Sequence, residues 1–506
     1  MKRILLLSVL LQTVICVSAS DFEVNSIHYN ITRKAAPYTV EVTSAWPKSY
    51  KYSGEVVIPE TVTYDGITYE VTAIGMGAFS GSKDLTSVVI PNTVVEIQSM
   101  AFIHCSGLKS LSLPNSLKTI GPLAFVGCHE LETLWIGSSL AEIGSCAFEN
   151  AKSLSHIEVS ENNTHFKAVD NVLYSAKLDT LVLCPAGREG TFYTPYKVVA
   201  IGNYAFCGCE KLTNVKFHDK LRSIGDSAFL YCTSLSKINI PKNVRNIGDC
   251  AFGCCTSLMD FDVDYKNKRY TSSIGVLYTK RMDTIVAYPI GRNDPTCLLP
   301  DRVKTIGNSA FLFSKITFID LPNTVTVIEN KAFRNCSTLV RISLGQSLER
   351  VGEESFMFCE NLKLVALPNS LKEIGMDAFA VCKSLPEIII GDSVKVIGEA
   401  AFSSCESLVS ITLGKSVEFV NDMAFMGSCT KLERLEFKSP KPPAIGFYAF
   451  YLPTSSEGVS VSLGNGNSKQ YIPDAVATKV VVPCGKKQDY AEYLLEWFDD
   501  IQENCE

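Results

Sequence analysis

The chain has 506 residues, 46% of them hydrophobic, with no low-complexity block, a composition that suits one long shared core. Its formal charge of −6 is too small to steer a partner and points away from nucleic acid.

Residues 1–20 read as a secretory signal. Lys2 and Arg3 precede an apolar run from Ile4 to Val17, and Val17-Ser18-Ala19 offers a small-residue cleavage site. The run is too short for an anchor, and no later stretch reaches the ~20 apolar residues of a transmembrane helix. Cys16 follows Ile15 where lipid attachment wants a small residue, so the chain is read as exported without a lipid. Its destination is the cell surface, the extracellular space or the periplasm.

Residues 21–70 form an N-terminal β cap. Phe22–Ile31 and Tyr38–Val42 alternate as strands do, and Gly54-Glu-Val-Val-Ile-Pro59 resembles a repeat strand. An end coil without such a cap would expose unpaired edge strands and bare core.

From residue 71 to 450 one phrase, Ile-Gly-x-x-Ala-Phe, keeps returning. Its phenylalanines run from Phe79 to Phe450, mostly 23 residues apart, with gaps of 58 and 59 after Phe148 and Phe252. A unit this short cannot bury an apolar face alone and must stack on its own copies. The full unit reads Leu108-Lys-Ser-Leu-Ser-Leu113-Pro114-x-x-Leu117-x-x-Ile120-Gly121-x-x-Ala124-Phe125-x-x-Cys128. Leu111 and Leu113 alternate with serines, which predicts a strand with one buried face. A proline or glycine turns the chain, a shorter strand crosses the other side, and the Ala-Phe segment is expected as a tight helical turn. The slot after Ile is glycine in eleven of fourteen copies, but Gln98, Glu329 and Asn421 also fill it. Tight space, more than a positive φ, therefore selects glycine. The fold class is a repeat solenoid, mostly β with short helical turns.

The two long gaps repeat each other. Asp170-Asn-Val-Leu-Tyr174, Asp179-Thr-Leu-Val and Pro185-x-Gly187-Arg188 match Ile274-Gly-Val-Leu-Tyr278, Asp283-Thr-Ile-Val and Pro289-x-Gly291-Arg292. Near 160–198 and 264–303 the sequence thus predicts two larger inserted coils, each ending in a projecting hairpin. Residues 451–506 close the chain with a Ser/Gly/Asn-rich loop from Pro453 to Gln470 and a last strand, Thr478–Pro483. A capping helix from Lys486 to Asp500 follows, with Tyr490, Tyr493, Leu494, Trp497 and Ile501 at helical spacing.

Ile-Gly-x-x-Ala-Phe-x-x-Cys with Leu-x-x-Leu-x-Leu-Pro resembles the BspA-type leucine-rich repeats of bacterial surface proteins. The Asp/Gly-x-Val-Leu-Tyr coils and the closing Val-Pro-Cys-Gly-Lys…Tyr…Trp-Phe-x-x-Ile are similar to exported members from anaerobic gut and oral bacteria. The resemblance covers nearly the whole mature chain and implies the fold. It also implies adhesion to host proteins or other cells, although fold alone does not fix function.

Nine of nineteen cysteines share one repeat slot: Cys105, Cys128, Cys209, Cys232, Cys255, Cys336, Cys359, Cys382 and Cys405. Ser82, Ala151 and Ser314 fill it elsewhere, so the slot wants a small, weakly polar side chain. No pair of CxxC motifs has zinc spacing. Stacked Cβ atoms ~4.8 Å apart exceed what a disulfide prefers. These residues are read as a structural ladder of buried, reduced thiols. Cys484 and Cys505 flank the terminal helix and are expected to form a disulfide.

Catalytic motifs are missing. The six histidines are scattered, without His-Glu-x-x-His or Gly-x-Ser-x-Gly. Asp260, Asp262 and Asp264 imitate a calcium loop, but Tyr265 and Thr271 stand where glycine and glutamate belong. A polysaccharide-cleaving β-helix would need acids converging across adjacent coils, and the coil before holds Lys237 and Asn239 at the equivalent slots. The chain is read as non-enzymatic, with no cofactor or metal.

Recognition remains, of an extracellular protein or of a cell-surface glycan. The third and fifth positions of each Leu-x-x-Leu-x-Leu strand point outward and stack into two rows, running from Val89 through Ser112, Trp135 and Glu158 to Glu436 in the fifth-position case. Trp135 is one of three tryptophans, and Trp46 and Trp497 lie in the caps. Together with Thr133, and with His156 and Glu158 in the next coil, it forms the candidate ligand site, a rigid aromatic ringed by polar groups.

Overall fold

A computed structural model describes residues 20–44, 51–363, 367–450, 478–494 and 500–505. The signal segment up to residue 19, Trp46, the Pro453–Gln470 loop and Trp497 lie outside them. The chain divides into two compact units, Met1–Thr233 with Asn246–Ala251, and Ser234–Arg245 with Phe252–Glu506. Both are β-solenoids.

Among the described residues most regular coils contribute one longer and one shorter strand, and neighbouring like strands that pair within a sheet run parallel. In the first unit Ser110–Ser112, Thr133–Ile136 and His156–Val159 make one such sheet. On the other side Ile67–Ile74, Glu96–Ile97, Thr119–Ile120 and Glu142–Ile143 pair in that order. Strands Phe22–Val24, Ile27–Arg33 and Thr39–Thr43 extend that sheet, the first two junctions being antiparallel. In the second unit Thr305–Ile306 through Ala444–Ile445 form the short-strand ladder.

Phenylalanines line the interior. Phe79, Phe102, Phe125 and Phe148 stack with ring centroids 4.7, 5.0 and 5.2 Å apart and planes within 7°. Phe311 through Phe450 continue the pattern in the second unit at 4.9–5.3 Å. The strand spacing of ~4.8 Å sets this repeat, and each buried ring contributes roughly 2–3 kcal/mol of apolar burial.

The segment carrying each ring is a run of turns, not the expected helical turn. Around Phe102 the amides of Met100, Phe102 and His104 donate to Pro122, Ala124 and Val126 of the next coil. The amides between them, of Ala101, Ile103 and Cys105, donate three residues back. A helix would consume every amide internally. Here half are reserved for the neighbour, and Met100 and His104 adopt φ of 59° and 60° to allow it. The glycine expectation agrees with the geometry: a Cβ on Gly121 would sit 2.5 Å from the Ser99 nitrogen, and one on Gly375 2.6 Å from that of Glu353, neither at positive φ.

The inserted coils differ from the expected projecting hairpins. In the first, Phe166–Val169, Val172–Ser175 and Thr180–Leu183 form an antiparallel meander whose last strand pairs in parallel with Ala200–Ile201. Val172, Leu173 and Tyr174 are buried, so the meander lies within the sheet. The second unit repeats it with Tyr270–Ser273, Val276–Thr279 and Thr284–Ala287. Each insert is anchored by one buried asparagine. Asn163 donates to the carbonyls of Gly137 and Leu140 and accepts from the amides of His165 and Phe166. Asn267 does the same with Pro241, Val244, Arg269 and Tyr270.

At the C-terminus the described helix is Lys487–Leu494, and Ile501, expected on it, belongs to a strand instead. Asp500–Asn504 pairs in parallel with Lys479–Pro483. Pairing another strand against the sheet satisfies its backbone, which a helix there would leave bare. Tyr490 is buried and its hydroxyl donates to Ser439 O at 2.7 Å.

Candidate functional site

The longer-strand sheet of the first unit positions the expected ligand residues. Leu134 and Ile157 point inward and are buried, so Thr133, Trp135, His156 and Glu158 face the other way. The register sets Thr133 beside His156 and Trp135 beside Glu158, with Ser110 and Ser112 on the opposite flank. Thr133, His156 and Glu158 are exposed and Trp135 is half-buried. The four residues therefore share one face.

One aromatic on this kind of face was missed from sequence. The first inserted coil supplies its own outward strand, Gly190–Tyr193, which pairs in parallel with Leu212–Lys216 and sets Tyr193 beside Lys216. Tyr193 is 72% exposed while Phe192 is buried. Alternation in Thr191-Phe192-Tyr193 was the available signal. Nearby, Tyr196 is 65% exposed, its ring centroid 5.2 Å from that of His218 and 4.1 Å from Lys220 Nζ.

The second unit holds a different surface. Lys242, Arg245, Lys266, Lys268 and Arg269 line a groove of about 470 Å³ beside the second insert. Close by, Lys237 Nζ lies 3.2 Å from both Asp260 and Asp262, which together hold its ammonium above the ordinary range. Asp264 accepts the Lys266 amide. These acids are engaged locally, with lysine in place of the converging carboxylates that glycan cleavage requires.

The nine ladder cysteines are buried and unbridged. Most donate to the carbonyl of a phenylalanine one coil earlier, as Cys105 does to Phe79 at 3.0 Å and Cys382 to Phe356 at 3.3 Å. Burial pushes the Cys105 and Cys405 thiols up to about 12, far from the thiolate needed for nucleophilic chemistry. Cys484 and Cys505 are joined by a disulfide, their Cα atoms 4.7 Å apart.

Stacked parallel coils with an inward ring and an outward variable strand define a leucine-rich-repeat solenoid. The model of the BspA type leucine-rich repeat region matches residues 66–185, 190–280, 295–390 and 372–471, and the chain belongs to this family. Among solved structures it is similar to a leucine-rich cell surface protein from Faecalibacterium prausnitzii, with 27% identity over 83% of this chain and 95% of that one, TM-score 0.43. A leucine-rich repeat protein from Bacteroides ovatus is 26% identical over 96% and 99% of the two chains, TM-score 0.38. The pneumococcal vaccine antigen PcpA is 19% identical over 97% and 100%, TM-score 0.41. None of the curated proteins matches this chain. No helix among the described residues is long and apolar enough to cross a membrane.

Proposed function

We propose that this is an exported, non-enzymatic recognition protein that binds an extracellular or cell-surface protein through the outward face of its longer strands, in the manner of an adhesin. The observation that carries this reading is the half-buried Trp135 flanked in register by exposed Thr133, His156 and Glu158. A rigid aromatic in a polar rim is the usual composition of a protein-binding hot spot. Membership of a repeat family with surface-protein relatives supports the same reading.

A second reading is recognition of a surface glycan. It is favoured by exposed Tyr193 and Tyr196 and, for an acidic glycan, by the groove of five basic side chains. One experiment separates the two: immobilised mature chain screened against extracellular matrix proteins and a glycan panel, then repeated with Trp135→Ala. The protein reading expects a protein ligand whose affinity falls by roughly 2 kcal/mol or more with an unchanged melting temperature. Unchanged affinity, or a collapse in stability, would reduce Trp135 to packing. Binding to glycans alone would favour the second reading.

A further inference from the structure

The first inserted coil interrupts the ring stack. At the position where the second insert has Tyr288, stacked 5.1 Å from Phe311, the first has Cys184. Both residues donate the same backbone bond, Cys184 to Ala205 and Tyr288 to Ala310, so they occupy equivalent places in their coils. A thiol cannot stack as a phenol ring does, and buried Phe192 packs edge-on against Phe206 instead, with centroids 5.2 Å apart. Separately, between the coils of Phe148 and Phe206 lies a cavity of about 190 Å³, lined by Phe148, Val182, Leu183 and Tyr204 and by three residues of another character, Cys146, Glu149 and Cys207. One ligand atom from each of those three falls within 4.8 Å of the others.

Glu149 is 5% exposed, and among the described residues no basic side chain pairs with it. A buried carboxylate in that position is costly unless it is protonated or neutralised by a cation. Burial does raise its pKa, opposed by a hydrogen bond with Cys146, and the Cys207 thiol is held well above its usual range by Cys146 and by burial. Cys146 is half-buried, which leaves an entry path from solvent.

We propose that Cys146, Cys207 and Glu149 form a site for a thiophilic divalent cation of the zinc class, stapling the coil of Phe148 to the coil of Phe206 across the insert. Two sulfurs at ~2.3 Å and a carboxylate oxygen at ~2.0–2.2 Å are standard zinc ligands. Sulfur donors select such an ion over calcium or magnesium. Tetrahedral ligation brings ligand atoms closer than the present 4.8 Å limit, and side-chain rotation into the cavity supplies that movement. Binding releases the two thiol protons to solvent, so the cluster keeps one net negative charge, but the carboxylate gains a direct bond to the cation, and the fourth position faces the cavity, where water completes the shell. A Cys146–Cys207 disulfide would be the simpler use of two cysteines, but it leaves Glu149 buried without a partner. The second insert carries Cys250, Gly253 and Leu312 at the corresponding positions and cannot form the site.

The test uses the full chain with Cys484→Ser and Cys505→Ser, which removes the other Cys/Glu cluster among the described residues, formed with Glu503. Reduced, metal-free protein is titrated with cobalt(II) under nitrogen. One equivalent should bind with the visible bands of a tetrahedral thiolate site, zinc should displace it, and zinc should raise the melting temperature. Cys207→Leu, which installs the side chain of Leu312, should weaken binding by roughly 100-fold or more, at least the upper end of what losing an outer-shell partner costs. Glu149→Gln should weaken it about tenfold while leaving the sulfur-to-metal bands in place. No uptake by the reduced parent protein overturns the proposal, as does uptake that survives Cys207→Leu unchanged. An intact mass revealing a Cys146–Cys207 disulfide whose reduction restores no metal binding also overturns it.

Discussion

The two inserted coils are near copies in backbone and opposites in what they enclose. Both form an antiparallel meander, both are pinned by a buried asparagine, and both turn at a proline before rejoining the repeat. The second keeps the aromatic column going with Tyr288, whereas the first places Cys184 there, packs Phe192 edge-on against Phe206, and encloses a cavity lined by two thiols and a carboxyl. Their outward strands also diverge. Gly190–Tyr193 pairs with its neighbour. In the second insert Pro295, lacking an amide hydrogen, sits where that strand would begin, and residues 293–300 form no strand. Backbone architecture and interior chemistry are thus specified separately: the asparagine and the meander set the first, a single ring-or-thiol choice the second.

That separation can be broken. Tyr288→Ala should cost the second insert roughly 3–5 kcal/mol, as for a buried phenylalanine, while Cys184→Ala should cost the first about 1 kcal/mol; thermal melts of the pair compare them directly. Equal losses would mean the ring is not what closes the second insert. Asn163→Ala and Asn267→Ala should each cost about 2 kcal/mol, because four backbone partners lose a buried bond. Amide exchange should rise around residues 137–166 in the first case and 241–270 in the second. Cys184→Phe with Phe192→Thr, which gives the first insert the second's ring arrangement, should be tolerated within about 1 kcal/mol if the backbone is as equivalent as its hydrogen bonds indicate; a larger loss would expose a difference in coil spacing.

The smallest effect concerns pH. Glu149 has a raised folded-state pKa, so its contribution to stability is full below the ordinary carboxylate range and is lost as pH rises through the raised value. Metal-free wild type should therefore lose melting temperature relative to Glu149→Gln as pH climbs from acid toward neutrality. Parallel curves would place the carboxyl in solvent.

The repeat was legible because its causes are local. A 23-residue spacing, alternating leucines and a crowded glycine slot each leave a mark on consecutive letters, and the cysteine slot tolerating Ser82 and Ala151 already marks a small buried site. What escaped depends on the neighbouring coil. Hydrogen-bond sharing turned the expected helical segment into linked turns. Sheet pairing took Ile501 from the expected helix and kept the hairpins within the sheet. The candidate ligand face was readable from strand period, except for Tyr193, whose strand belongs to an insert. Cys146 and Cys207 are 61 residues apart in different slots, and they meet only because the first insert leaves the coils of Phe148 and Phe206 facing one cavity.

The turn that carries each phenylalanine gives half its amides to the following coil. Every completed coil is therefore a template for the next, and each new one needs only the 23 or so residues that have just emerged. A chain that emerges N-terminus first can fold as it arrives, without waiting for its far end. The same rule makes length an inheritable variable: duplicating or deleting one period changes the reach of the protein while leaving every contact beyond the adjoining coils as it was.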